Sequence, residues 1–270
     1  MTFIERIMCL ALIAIEQHPL YPLIILSNRD EFYNRATAPA HYWDDAPGVF
    51  AGKDLVSGGT WLGVNQQGRF SLITNYRDPG HYNPERLSRG LLAKNFLLKN
   101  VLASPEDYVH EIIPSTDSYN GFNLLVGTMQ DVVYFSNREN KIKKLSPGIY
   151  GLSNHLLDTP WYKVLKAKEL FHKIAPQLIC AQTPEEINAL LFPILENHHF
   201  APEHLLPQTG IPLESERALS SIFVNIPSRQ YGTRCSTSVL FAKDTLFFAE
   251  RIVENTQARA TNTIPIKLQK

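Results

Sequence analysis

Two apolar, β-prone runs open the chain: LALIAI at 10–15 and LIILS at 23–27, separated only by EQHPLYP with its two prolines. A parallel pair needs a crossover of a dozen or more residues, so this spacing predicts an antiparallel hairpin with a longish loop. Asn28-Arg29-Asp30-Glu31 follows the second run. WLGVNQQGRFSLITN predicts a second hairpin, with strands 61–65 and 69–75 flanking Gln66-Gln67-Gly68. Gly68 suits the positive φ such a turn requires.

Helices are expected next. Residues 88–100 carry Ser88 as N-cap and Leu91, Leu92, Phe96 and Leu97 on one face, and Ser104-Pro105-Glu106-Asp107 begins another helix with proline in the first turn. Strands return at 122–127, 131–136 and 149–153. One helix then starts near Thr159-Pro160, and a second at Thr183, where Glu186 completes a capping box. Residues 200–217 read as an irregular connection, and strands near 219–225, 236–242 and 245–252 close the chain. Clusters of hairpin-linked strands alternating with clusters of helices predict an α+β fold: two mainly antiparallel sheets packed face to face, with helices outside. No linker or repeat divides residues 9–270, so one domain is expected there.

Composition narrows the function. With 26 Lys+Arg against 26 Asp+Glu among 270 residues, nothing steers the chain to nucleic acid or an anionic membrane surface. No apolar run reaches the roughly 18 residues of a membrane span, so no stable membrane insertion is expected. Three cysteines, Cys9, Cys180 and Cys235, form neither a disulfide framework nor a CxxC metal site, and point to a reducing, cytoplasmic setting. Cys180 is expected in the core; Cys235 is either core or a second site thiol. The adjacent His198 and His199 would face different ways on a helix, which argues against a ligand pair.

Cys9 directly follows Met8. Residues 1–8 are therefore read as a short leader or as a misassigned start. With those residues gone, Cys9 carries a thiol and a free α-amine, a nucleophile and base on one residue; the alternative is a small buried hydrophobe at a strand start. If the first two runs pair, Arg29 and Asp30 lie near Cys9. A guanidinium there would favour thiolate, and a carboxylate would orient the amine. Asn75 ends one strand and Asn154 follows another; side-chain amides at strand ends can donate to an oxyanion or merely shape turns. Arg234 could position a carboxylate or phosphate, or be a surface arginine at a strand start.

These segments together resemble the NRDE family, also called the transport-and-Golgi-organisation protein two family. The resemblance rests on MCL at 8–10, NRDEF at 28–32, GGTWLG at 58–63, TNY at 74–76, YNGFNLL at 119–125, YGLSN at 150–154, TPW at 159–161 and YGTR at 231–234. The family's cysteine usually stands second, after the initiator methionine; here MTFIERIM precedes it. The family in turn looks like the cholylglycine hydrolase and penicillin V acylase branch of N-terminal-nucleophile (Ntn) hydrolases, whose fold is an αββα sandwich. The resemblance implies Cys9 as nucleophile, Arg29 and Asp30 beside it, Asn75 and Asn154 at the oxyanion, and Arg234 as the late arginine. It implies either a cysteine amidohydrolase acting on a non-peptide C–N amide, with no required cofactor, or a non-catalytic protein that handles haem, an acyl thioester or another lipid on the same scaffold.

Overall fold

The computed structural model describes residues 9–99, 103–254, 257–258 and 261–269. The segment 1–8 and position 100 of the first expected helix lie outside these described residues. In chain order the elements are β1 (Cys9–Ile15), β2 (Leu23–Phe32), β3 (Thr37–Trp43), β4 (Ala46–Asp54), β5 (Leu62–Asn65), β6 (Phe70–Asn75), α1 (Gly90–Leu98), α2 (Pro105–Ile112), β7 (Phe122–Gly127), β8 (Val132–Ser136), β9 (Lys141–Lys144), β10 (Gly148–Leu152), α3 (Tyr162–Cys180), α4 (Pro184–Leu195), α5 (Leu213–Ala218), β11 (Asn225–Ile226), β12 (Tyr231–Phe241), β13 (Thr245–Glu254), β14 (Gln257–Ala258) and β15 (Asn262–Lys267).

The strands form two sheets in which every strand pairing is antiparallel. The first runs β10-β1-β2-β12-β13, with β14 and β15 on β13 and β11 on β12; the second is the meander β3-β4-β5-β6-β7-β8-β9. Strand periodicity explains the layering. Ala11, Ile13 and Ile25 of the first sheet meet Leu62, Val64, Phe70 and Leu72 of the second in a core between the sheets. The alternate residues Leu10, Leu12, Ile24 and Leu26 pack outward against Val164, Phe171, Ile187 and Leu191 of α3 and α4. Behind the second sheet, Leu124, Val126 and Phe135 pack against Leu92, Phe96 and Val109 of α1 and α2. Strands covered on both faces read as continuous apolar runs, which is why LALIAI shows no alternation. The result is the αββα sandwich that the order of strands and helices predicts. Among the described residues no helix is long and apolar enough to cross a membrane.

Local signals hold where the chemistry is local. β1 and β2 pair as a hairpin, and β5 and β6 turn through Gly68 at φ +77°. Ser104 with Asp107, and Thr183 with Glu186, form the reciprocal capping boxes of α2 and α4.

Other expectations are corrected. Asn28-Arg29-Asp30-Glu31 does not follow β2 but lies within it, because β12 pairs with all four residues and β1 with Asn28 and Arg29. Helix α1 begins at Gly90, with Arg89 rather than Ser88 at the N-cap, and α3 begins at Tyr162, past the Thr159-Pro160 start. Of 219–225 only Asn225 joins a strand. The backbone there bonds elsewhere: the Ile222 carbonyl accepts from the Asn28 side chain, and the Phe223 N–H donates to the Asn197 carbonyl. Cys180 is exposed at the last turn of α3 rather than buried. The strands over 37–54 and 262–267 carry no continuous apolar run. Pro39 and Pro265 sit in β3 and β15, which are edge strands where proline removes no needed donor.

Two glycines fix how α1 meets the second sheet. A Cβ at Gly59 would lie 2.5 Å from the Gly90 carbonyl carbon and 2.7 Å from its oxygen, backbone atoms that cannot step aside. Gly59→Ala should therefore destabilise the fold by about 1–3 kcal/mol, the usual cost of overpacking. A urea midpoint lowered at unchanged m-value would show it; an unchanged midpoint would mean that α1 shifts freely.

Candidate active site

The register of three strands builds the site. Cys9 heads β1 opposite Arg29 of β2, and Arg29 lies opposite Cys235 of β12. All three side chains are buried, and Cys235 faces the core between the sheets. Arg29 crosses to the second sheet. Its guanidinium lies over the Trp61 ring, 4.2 Å from the centroid. It donates to Thr37 Oγ1 at 3.2 Å and stands 3.6 Å from Glu31 Oε2 and 3.5 Å from Asp54 Oδ2.

With its charge matched in this way, Arg29 does not make a thiolate of Cys9. Burial pushes the Cys9 thiol up to about 12, and the Asp30 carboxylate adds to the rise. A hydrogen bond from the Asp30 backbone and the charge of Arg29 act in the opposite sense but are outweighed. Arg29 thus acts in the expected direction, but the loss of water and the anionic neighbour Asp30 outweigh it.

Asp30 faces away from Arg29 along the strand and is wholly buried. Its Oδ1 accepts from Thr233 Oγ1 at 2.6 Å, while Oδ2 has no hydrogen-bond partner. Burial raises its carboxyl above the ordinary range, against the pull of Lys163, Thr233 and Arg29. Lys163, in the first turn of α3, is 2% exposed, and its Nζ has no hydrogen-bond partner. Burial lowers its ammonium while Asp30 holds it up. Sequence reasoning passed Lys163 over; its only signal was its place just after the TPW motif.

Asn154 laces the two sheets. Its Oδ1 accepts the Cys9 N–H at 3.3 Å, and its Nδ2 donates to the Asn75 carbonyl at 2.9 Å. Ser153 Oγ donates to the Cys9 carbonyl at 2.9 Å, and Thr74 Oγ1 to the Ser153 carbonyl at 2.8 Å. The Asn154 side chain therefore holds the Cys9 nitrogen. Asn75, at the end of β6, lines a cavity of about 560 Å³ together with Arg29 and Trp61. Four arginines, Arg29, Arg35, Arg86 and Arg89, line this space against two carboxylates, Glu31 and Asp54, leaving it net cationic.

Arg234 sits apart from that cavity. It occupies the bulge between Thr233 and Cys235, where the β12–β2 register shifts. Its guanidinium donates to the carbonyls of Phe32 and Tyr33 at 2.8 and 3.0 Å, bracing the loop after β2. Asn28 is likewise structural: its amide donates to the carbonyls of Leu195 and Ile222 and ties the end of α4 to β2. Among the described residues no cluster of His, Cys, Asp and Glu could hold a metal. His198 packs its ring on Phe223 at 4.4 Å.

Residues 8–255 match the family described as Transport and Golgi organisation 2. The Transport and Golgi organization 2 homolog of Mus musculus is 32% identical over 283 residues, covering 97% of this chain and 100% of that protein. The Homo sapiens homolog is 33% identical over 259 residues, covering 88% and 90%. The Drosophila melanogaster protein is 30% identical over 250 residues, covering 86% and 87%. Among solved structures, a mutant conjugated bile acid hydrolase from Clostridium perfringens superposes with a TM-score of 0.44 at 10% identity, covering 95% of this chain and 92% of that one.

The raised thiol has a thermodynamic consequence. The folded chain keeps the Cys9 proton up to about 12, whereas the unfolded chain releases it near 9.0. This contribution to stability is complete below pH 9 and is lost as pH rises toward 12. Cys9→Ala removes it, so the stability gap between the two chains should narrow by about 1 kcal/mol per pH unit above 9. Urea unfolding between pH 8 and 10.5 measures the gap; a gap constant with pH would contradict the buried neutral thiol.

Proposed function

The chain belongs to the Transport and Golgi organisation 2 family, and from that footing we propose that it is a cysteine amidohydrolase of the Ntn type acting on a non-peptide C–N amide. The observation that carries the reading is the hydrogen bond from the Cys9 nitrogen to Asn154 Oδ1, with the buried Asp30 carboxyl next to it. A free α-amine at Cys9 would occupy the same place, held by the same oxygen. It would take the proton of a thiol that no other group in the pocket ionises.

The chemistry then runs on this chain's own residues. The α-amine accepts the Cys9 proton as Sγ attacks the amide carbonyl. The Asn75 side chain, on the cavity side of β6, donates to the oxyanion, and Asn154 holds the amine in line. Collapse of the tetrahedral species breaks the C–N bond, the amine returns its proton to the leaving nitrogen, and water hydrolyses the acyl-thioester. An amide nitrogen at Cys9 cannot act in this way, because its lone pair is delocalised into the preceding carbonyl. The reading therefore requires a chain that begins at Cys9.

One observation favours a second reading. The cationic cavity of about 560 Å³ suits an anionic ligand such as haem or an acyl thioester whether or not Cys9 reacts. The two readings separate in one experiment on a panel of N-acyl amides. A chain beginning at Cys9 should turn over at least one of them and accumulate an acyl adduct visible by intact mass. A chain retaining Met8 should be slower by about 10²–10⁴-fold, the usual value of general-base help. Asn75→Ala should lower kcat by about 10²–10³-fold. Turnover no greater than that of Cys9→Ala across the panel, with ligand binding intact, would favour the binding role.

A further inference from the structure

Asn154 is carried by residues 153–158, which leave β10 of the first sheet and join no strand. Their backbone is nonetheless held from the second sheet. The Ser153 carbonyl accepts from Thr74 Oγ1 of β6 at 2.8 Å, and the Asn154 carbonyl accepts the Arg77 N–H at 2.7 Å. The His155 carbonyl accepts from Asn123 Nδ2 of β7 at 3.0 Å, and the Leu157 N–H donates to the Tyr134 hydroxyl of β8 at 3.1 Å.

The holds on Ser153, His155 and Leu157 converge on one side chain. Asn123 is wholly buried, on the face of β7 that its neighbour Leu125, two residues on, turns to the core between the sheets. Besides the His155 carbonyl, its Nδ2 donates to Thr74 Oγ1 at 3.2 Å, and its Oδ1 accepts from the Tyr134 hydroxyl at 2.9 Å. These bonds leave the amide one orientation. Thr74 gives its hydroxyl proton to the Ser153 carbonyl, so toward Asn123 it accepts. Tyr134 accepts from Leu157, so its own proton goes to Asn123. Loss of the Asn123 amide would leave Thr74, His155 and Tyr134 each short of a buried partner, which costs more than the bonds themselves.

What the loop delivers is the pair of contacts on Cys9: Asn154 Oδ1 accepts its N–H, and Ser153 Oγ donates to its carbonyl. The first of these, at 3.3 Å, lies beyond the usual span of such bonds, so a small slip of the loop breaks it. We propose that Asn123 is a positioning residue for Cys9: it acts through the loop at 153–157 to set Asn154 Oδ1 against the Cys9 nitrogen. The assignment rests on the nucleophilic reading of Cys9, but its test does not use turnover.

The readout is hydrogen exchange at the Cys9 amide of the full chain, followed by NMR against the Leu12 amide, which lies in the middle of β1 between β2 and β10. Asn123→Leu should speed exchange at Cys9 about tenfold relative to Leu12, the effect of losing one or two hydrogen bonds. Equal acceleration at both amides would mean that the sheets merely open more readily, and no acceleration would mean that the loop is held without Asn123; either result overturns the proposal.

Should Asn123→Leu not fold, Thr74→Val and Tyr134→Phe each cut one arm of the same network. Each should raise the ratio of Cys9 to Leu12 exchange about threefold. A ratio unchanged in either variant overturns the proposal. In a chain beginning at Cys9, an amidase assay that fails while these ratios shift in the full chain would reject the reaction and leave the role of Asn123 intact; turnover with unshifted ratios would do the reverse.

Discussion

The buried guanidinium of Arg29 is the interaction on which the arrangement turns. It leaves β2 of one sheet, lies over Trp61 and reaches Asp54 of the other. An arginine with 2% exposure is tolerable only with its charge matched and its donors engaged. Thr37, Glu31 and Asp54 do this, and they fix the head of β2 against β3 and β4. The apolar core between the sheets supplies adhesion without direction. This polar pin sets the register in which Cys9, Arg29 and Cys235 stand side by side.

The same pin explains why the thiol rests protonated. A cation committed to two carboxylates and an aromatic face has little field left for a third neighbour. Burial then dominates and the thiol keeps its proton. Asn154 holds the Cys9 nitrogen on one side and the Asn75 backbone on the other. One side chain thereby couples the start of β1, the exit of β10 and the end of β6. Movement between the sheets would be felt directly at Cys9.

Asp30 and Lys163 form the opposite face of the same design. They belong to the outer layer, where α3 covers the first sheet, while Arg29 and the cavity belong to the inner one. Cys9 stands at the strand end where both environments meet.

The sequence by itself determined what local chemistry determines. The β1–β2 and β5–β6 hairpins, the turn at Gly68, the start of α2 and the capping box of α4 follow from residues within a few positions of one another. The layered α+β class follows from the order of those elements, and Cys9, Arg29, Asp30, Asn75 and Asn154 were legible because ordered motifs carry them. Tertiary structure alone decided the rest. That Asn28 to Glu31 lie inside a strand depends on β12, two hundred residues away, pairing with them. The edge strands β3 and β15, and β4 between β3 and β5, are held by partners rather than by their own pattern. The net rise of the Cys9 thiol is a sum over burial and charges from two strands, which no spacing encodes. Lys163 reads in the sequence as an ordinary surface lysine on a helix; only the packing of α3 on β1 and β10 removes its water.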